Sequence, residues 1–337
     1  MDPDSVTEAS RVHHGSSDDG SVLDFSANSN TRIPDGAREA YADAFEPSRS
    51  YPPDDYPEFR AAAADYVGCA PERVIPTAGG LAALRLAIAA TITPGDSALV
   101  PYPSFGEYAR EIELQGGDAT LVPHDTVLDT DPEPHALAVV CNPNNPTGEC
   151  YDADRLRSFA ARCRAADTLL LVDEAFLGFT SEPSLAGEPG VVVARSLTKL
   201  FGFPGLRAGF AVADDGTRDR LATARRAWSL GWPAARVGTV SMRDEPFIEA
   251  TRDRIARERR FLRETLDAEF TVAPSDAPFL LVTVPDHERL IERAREAGVV
   301  VRDATTFRGL GSHIRVAVRE RSENERLLDA LGVDVPE

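Results

Sequence analysis

The chain contains a single lysine. Of its 36 Lys and Arg residues 35 are Arg, and the exception is Lys199. A guanidinium stays charged at any working pH, whereas a lysine amine can be tuned, lose its proton and condense with an aldehyde. Lys199 lies in Ser196-Leu197-Thr198-Lys199, and Arg207 follows eight residues later. Three other polar groups have the make-up of a binding site: Thr77-Ala78-Gly79-Gly80-Leu81, Asn142-Pro143-Asn144-Asn145-Pro146-Thr147-Gly148 and Asp173-Glu174-Ala175-Phe176.

The elements around these groups place them together. Uniformly apolar runs over 136–141, 168–172, 191–194 and 208–212 alternate with helical patterns over 58–67, 81–91, 104–114, 152–165 and 218–228. Further strands are expected at 98–100 and 119–122. That alternation predicts an α/β fold with a mostly parallel sheet covered on both faces. In such a sheet ligands bind beyond the carboxyl ends of the strands, which is where the Asn145, Asp173 and Lys199 groups fall. A long charged helix over 249–266 precedes a smaller α+β unit, with strands at 279–284, 299–302 and 314–318 and helices at 287–297 and 322–331. The expected organisation is a mobile tail over 1–20 and an N-terminal arm over 21–50 that joins the smaller domain. A large domain then spans 51–230, and the long helix and small domain span 231–337.

The residue types suit pyridoxal 5'-phosphate. Its aldehyde needs an amine, supplied by Lys199. Its ring nitrogen must stay protonated to act as an electron sink, which calls for a buried carboxylate, Asp173. Asn145 can donate to the ring oxygen, and Phe105 can stack on the ring face. The phosphate needs hydroxyls, an arginine and a helix N-terminus. Ser196, Thr198, Arg207 and the amides of Gly79, Gly80 and Leu81 meet that need. Each residue alone also has an ordinary reading. The Asn-Pro-Gly segment can be a turn, Asp173 a helix cap, Gly79-Gly80 a common prelude to a helix, and Phe105 part of the core.

The combined motifs, in this order and spacing, resemble the fold-type-I pyridoxal-phosphate enzymes of the aspartate-aminotransferase superfamily. The resemblance covers roughly residues 24 to 331. It implies a large three-layer αβα domain, a small α+β domain and a homodimer in which Tyr51 reaches the neighbour's cofactor phosphate. It also implies that Arg315 clamps a substrate α-carboxylate. Within the superfamily the chain looks most like the branch of histidinol-phosphate aminotransferases and threonine-phosphate decarboxylases. Asp24-Phe25-Ser26-Ala27-Asn28, Val301-Arg302-Asp303 and Ile314-Arg315-Val316-Ala317-Val318-Arg319 resemble decarboxylase segments. Phe176 stands where many aminotransferases carry a tyrosine. The leading expectation from the resemblance is decarboxylation of L-threonine O-3-phosphate, a step of cobalamin assembly. Transamination of histidinol phosphate or a similar amine is the alternative, and a non-catalytic ligand-binding role a third. Arg319, Arg32 and His14 are candidates for the substrate phosphate, and Asn28 for the substrate.

Composition bounds the rest. The net charge of −19 repels nucleic acid and anionic membrane. Together with the near absence of lysine, it suggests the solvated surface of a salt-adapted, cytoplasmic protein. The four cysteines form no CxxC pair and have no histidine cluster beside them, so no metal is expected. No apolar run approaches the length of a membrane span.

Overall fold

Apolar runs decide the architecture. In a computed structural model, which describes residues 1–335 except Ala9, His13, His14, Ser16 and Asp18, the runs Leu137–Cys141, Leu169–Asp173 and Val191–Ser196 are adjacent parallel strands. They belong to a seven-stranded sheet. Its spatial order is Val74–Thr77, Gly209–Val212, Val191–Ser196, Leu169–Asp173, Leu137–Cys141, Ser97–Tyr102, Asp118–Pro123. Gly209–Val212 runs antiparallel to both neighbours, and the other pairings are parallel.

Side chains alternate between two covered faces. Val140, Val172 and Val193 meet Phe59 of the helix Pro57–Val67 and Leu156 and Phe159 of the helix Ala153–Ala165. Val139, Leu171 and Val192 belong instead with Leu84 and Ile88 of the helix Gly80–Ala89 and Tyr108 and Ile112 of the helix Glu107–Glu113. Both faces are apolar, so the strands read as continuous hydrophobic runs. The result is the three-layer α/β arrangement.

A second sheet is antiparallel throughout, in the order Arg302–Asp303, His313–Ala317, Phe279–Thr283, Thr271–Val272. Helices Glu245–Leu266 and His287–Glu296 pack on it. The N-terminal arm joins it: Leu23–Asp24 pairs in parallel with Val299–Val300, and Ala317 N donates to Phe25 O at 2.9 Å. Earlier still, Pro3–Glu8 forms a short helix and Asp2 N donates to Leu114 O at 2.9 Å. No described helix is long and apolar enough to cross a membrane.

Two elements depart from the sequence-based expectation. The helix expected over 218–228 is Asp215–Ala224 and stops there. The carboxylate of Asp54 captures both Arg225 Nη2 and Trp228 N at 2.7 Å, which draws the chain out of helical register. The strand expected over 299–302 divides in two, because Val299–Val300 serves the arm and Arg302–Asp303 serves the second sheet. Three further elements lie beyond those expectations: the strand Val74–Thr77, whose apolar run Pro76 interrupts, and the helices Ala37–Asp43 and Trp232–Met242.

One close approach locks the large sheet to the Gly79–Gly80 turn. A Cβ built on Gly209 would stand 2.5 Å from Arg195 O, 2.6 Å from Gly79 C and 2.7 Å from Gly80 N. All three are backbone atoms and cannot rotate away. Gly209→Ala is therefore expected to lower folding stability by about 1–3 kcal/mol, read by urea unfolding. A variant as stable as its parent would disprove this lock.

Candidate active site

Three strand ends and one helix N-terminus bring the polar groups together. Asp173 closes its strand in register with Cys141 of the next, and Asn142–Gly148 leaves from there. Ser196 closes another strand and caps the short helix Leu197–Leu200 that carries Lys199. Asn30 holds the far end of that helix. Its N–H donates to Lys199 O at 2.9 Å, its Nδ2 donates to Leu200 O at 2.8 Å, and its Oδ1 accepts from the buried Arg254. The carbonyls at the helix end are thus satisfied by a residue of the arm.

Lys199 is partly buried. Burial first, then the positive charges of Arg315 and Arg207, push its amine down to about 8, with Asp173 opposing them. A lysine that is neutral near working pH is a nucleophile and a base. Its Nζ lies 6.0 Å from the centre of the Phe176 ring. Asp173 is 6% exposed. Burial raises its pKa, and the Tyr108 hydroxyl, donating to Oδ2 at 2.7 Å, and Ala175 N, donating to Oδ1 at 3.0 Å, pull it back.

A second cluster surrounds the glycine turn. Gly79 has φ of 95° and is the N-cap of the helix Gly80–Ala89, whose second residue is Leu81. A Cβ on Gly79 would meet the Arg207 guanidinium at 2.7 Å, and one on Gly80 would meet Ser196 Cβ at 3.0 Å. Ser196 Oγ and Thr198 Oγ1 are 2.8 Å apart. Helix amides, two hydroxyls and an arginine therefore line one cradle, which a larger residue at position 79 would fill. This donor set fits a phosphate. With the depressed amine and the buried carboxylate alongside, it fits pyridoxal phosphate.

The second sheet and the arm close the other side. Arg315 is 6% exposed and donates to Asn145 Oδ1 and, at 2.8 Å, to Ser26 O. Arg302 is Arg315's cross-strand partner, and its charge acts on Arg315. Asn28 Oδ1 and Arg315 Nε are buried and have no hydrogen-bond partner among the described residues.

A match to the family model "Aminotransferase class I and II" covers residues 21–331. The chain belongs to this family. Its members use pyridoxal phosphate, so this is a pyridoxal-phosphate-dependent enzyme of class I and II. Histidinol-phosphate aminotransferase 1 of Archaeoglobus fulgidus is 31% identical over 288 residues, covering 83% of this chain and 89% of that protein. Threonine-phosphate decarboxylase of Salmonella typhimurium is 32% identical over 330 residues, covering 92% and 90%. The crystal structure of histidinol-phosphate aminotransferase from Sinorhizobium meliloti in complex with pyridoxal-5'-phosphate superposes with a TM-score of 0.82 at 20% identity, covering 92% of this chain and 89% of that one.

Of the other residues singled out in the sequence, Phe105 borders this group through Tyr108, and the described remainder lie apart from it or are already bonded. Arg32 is bound through two nitrogens to Glu320. Arg319 donates to Asp24 O and Glu323. Tyr51 is 79% exposed and lies against Trp228, its ring tilted by 33° with the centres 4.5 Å apart. Phe105 meets Tyr108 edge-on at 5.6 Å. His14 lies outside the described residues.

Three residues at the site had no assigned role in the sequence: Tyr108, Arg302 and Asn30. Tyr108 follows Phe105 by three positions, the spacing that puts two residues on one side of a helical turn, and that was a readable signal. Arg302 and Asn30 gain their positions only from strand register and arm packing.

The depressed amine has a testable consequence. The neutral form grows as pH rises through the pKa, so borohydride-trapped labelling of Lys199 by pyridoxal phosphate should rise with a midpoint near 8. Peptide mapping across a pH series separates Lys199 from the amino terminus. A midpoint near the ordinary 10.5 would show that burial and the two arginines leave the amine unperturbed.

Proposed function

We propose that this enzyme transfers the amino group of an amine that also carries a phosphate, such as histidinol phosphate. The supporting observation is the pair of buried arginines, Arg302 and Arg315, side by side on the second sheet. The two halves of such a transfer bring different anions to one site, the phosphate of the amine and the α-carboxylate of the amino acid it is exchanged with. Two neighbouring arginines suit that alternation, and an overall charge of −19 makes local cations necessary for it.

The roles follow from the donor set. Lys199 would bond the aldehyde carbon, Asp173 would face the ring nitrogen, Asn145 would donate to the ring oxygen, and Phe105 would stack on the ring. Ser196, Thr198, Arg207 and the amides of Gly79, Gly80 and Leu81 would hold the phosphate. When bound, the cofactor supplies a carbonyl carbon for amine exchange and a sink for electrons. Arg315 takes the α-carboxylate of the amino acid that enters the second half of the transfer, and Arg302 and Asn28 take the remaining polar groups. A carboxylate paired with Arg315 is stabilised as an anion. Histidinol phosphate itself carries no carboxylate, so the bond that would break at its reacting carbon is the α C–H, with Lys199 Nζ as the proton acceptor. This reverses the order expected from sequence, and the histidinol-phosphate aminotransferase name recurs among the relatives. Phe176 supports the second reading, decarboxylation of threonine phosphate, since it lacks the hydroxyl that many aminotransferases present. So does the relative of that name, which matches along 92% of the chain.

Incubation with histidinol phosphate and 2-oxoglutarate is expected to yield glutamate, and incubation with threonine phosphate little CO₂. In the same assay Arg302→Gln should raise KM for the phosphorylated amine about tenfold and change KM for 2-oxoglutarate less. CO₂ release as the faster reaction would replace the first reading with the second.

The same proposal includes a second copy of the chain. Tyr41, Phe45, Tyr51 and Trp228 are exposed aromatic residues. The first two sit on or beside the helix Ala37–Asp43, which packs on Trp232–Met242. Exposed aromatics gathered in this way mark an interface. Sedimentation equilibrium should give the mass of two chains, and Phe45→Glu should weaken association. A monomer at micromolar concentration would exclude the dimer.

A further inference from the structure

We infer that Tyr108 is a positioning residue for the cofactor's ring nitrogen, acting through Asp173, whose carboxylate it orients and keeps charged. The inference rests on the assignment of Asp173 to that nitrogen.

The geometry is specific. Tyr108 is fully buried in the helix Glu107–Glu113, on the face of the large sheet opposite Phe159, and its hydroxyl crosses to the strand end to reach Asp173 Oδ2 at 2.7 Å. Ala175 N occupies Oδ1 at 3.0 Å. Each carboxylate oxygen thus has one fixed donor and keeps a lone pair for another. Burial and the neighbouring Asp173 hold the Tyr108 phenol well above its ordinary pKa, so it remains a donor.

The other groups facing Asp173 do not take over this task. Cys141, its register partner, donates its thiol to Pro143 O at 3.3 Å. Glu174 is held by Ser184 Oγ at 2.6 Å, Leu185 N at 2.9 Å and Arg195 at 2.9 Å. Lys199 is assigned to the aldehyde. A neutral hydroxyl is the right donor for the purpose. An arginine in its place would neutralise Asp173 and compete with a protonated ring nitrogen, whereas a hydroxyl stabilises the carboxylate and leaves its charge uncancelled.

Tyr108 also meets Phe105 edge-on, so a purely structural role, bracing the stacking ring, has to be separated from this one. The apo protein is titrated with pyridoxal phosphate and with its carbocyclic analogue, in which C–H replaces the ring nitrogen. The wild type should prefer pyridoxal phosphate. Tyr108→Phe should lose about tenfold of that preference and bind the analogue as before. Tyr108→His, whose ring N–H restores a donor, should retain more of the preference than Tyr108→Phe. Far-UV circular dichroism checks each fold, and Tyr108→Leu replaces the Phe variant should that one not fold. An equal loss for both ligands, an undiminished preference, or a His variant no better than Phe would each overturn the inference. A wild type without preference would instead remove the assignment of Asp173, and the role of Tyr108 with it.

Discussion

The site depends on placing an amine that gives up its proton readily and a carboxylate in the same crevice. Burial alone works for the first and against the second. It lowers the pKa of Lys199 and raises that of Asp173. The protein surrounds the two groups with different neighbours to resolve this. Arg207 and Arg315 act on Lys199 from two different elements, one beside the glycine turn of the large sheet and the other on the second sheet. Asp173 receives donors that carry no charge, a phenol and a backbone amide. Hydrogen bonds to an ionised group are worth about 1.5–3 kcal/mol each, enough to offset part of the cost of burying a carboxylate.

The fold supplies the directions from which these neighbours arrive. The large sheet aligns three strand ends, so Asp173, Ser196 and the Asn142–Gly148 segment leave it along one edge. The antiparallel Gly209–Val212 strand brings the chain back from Arg207 against the Gly79–Gly80 turn, which is why glycine is needed on both sides of that contact. The second sheet contributes only charge and shape. It is linked to the first through the arm, where Asn30 holds the Lys199 helix and Asn28 and Ser26 lie beside Arg315. Asn30 accepts from Arg254, whose Nη1 lies 3.2 Å from Glu320, so one continuous polar chain runs from the closing helix to the backbone of the lysine.

How much of this the sequence revealed follows from the range of each interaction. Asn145, Asp173 and Lys199 were legible because each ends or follows an apolar run, and run, turn and polar residue are adjacent in the chain. Phe105 and the Gly79-Gly80 turn were legible for the same reason. Arg302 was not, because its place beside Arg315 depends on the register of two strands separated by a loop. Nor was the end of the helix at Ala224, since Asp54 acts on Arg225 and Trp228 from the other side of the large domain's sequence. Arg32 is the complementary case: its charge was readable, but its pairing with Glu320 required the fold.

The abundance of arginine acquires a second meaning from the structure. On an acidic surface, arginine holds carboxylates in bidentate pairs, as Arg32 does with Glu320. In the interior the same side chain serves where a fixed charge is required: Arg195 against Glu174, Arg254 beneath Asn30, Arg315 at the crevice. Each of these positions demands a cation that cannot be titrated away. Lys199 occupies the one position that demands the opposite, and a fixed cation there would neither attack a carbonyl nor accept a proton. At these buried positions the choice of cation therefore follows one distinction, between charges that must persist and the one that must be able to vanish.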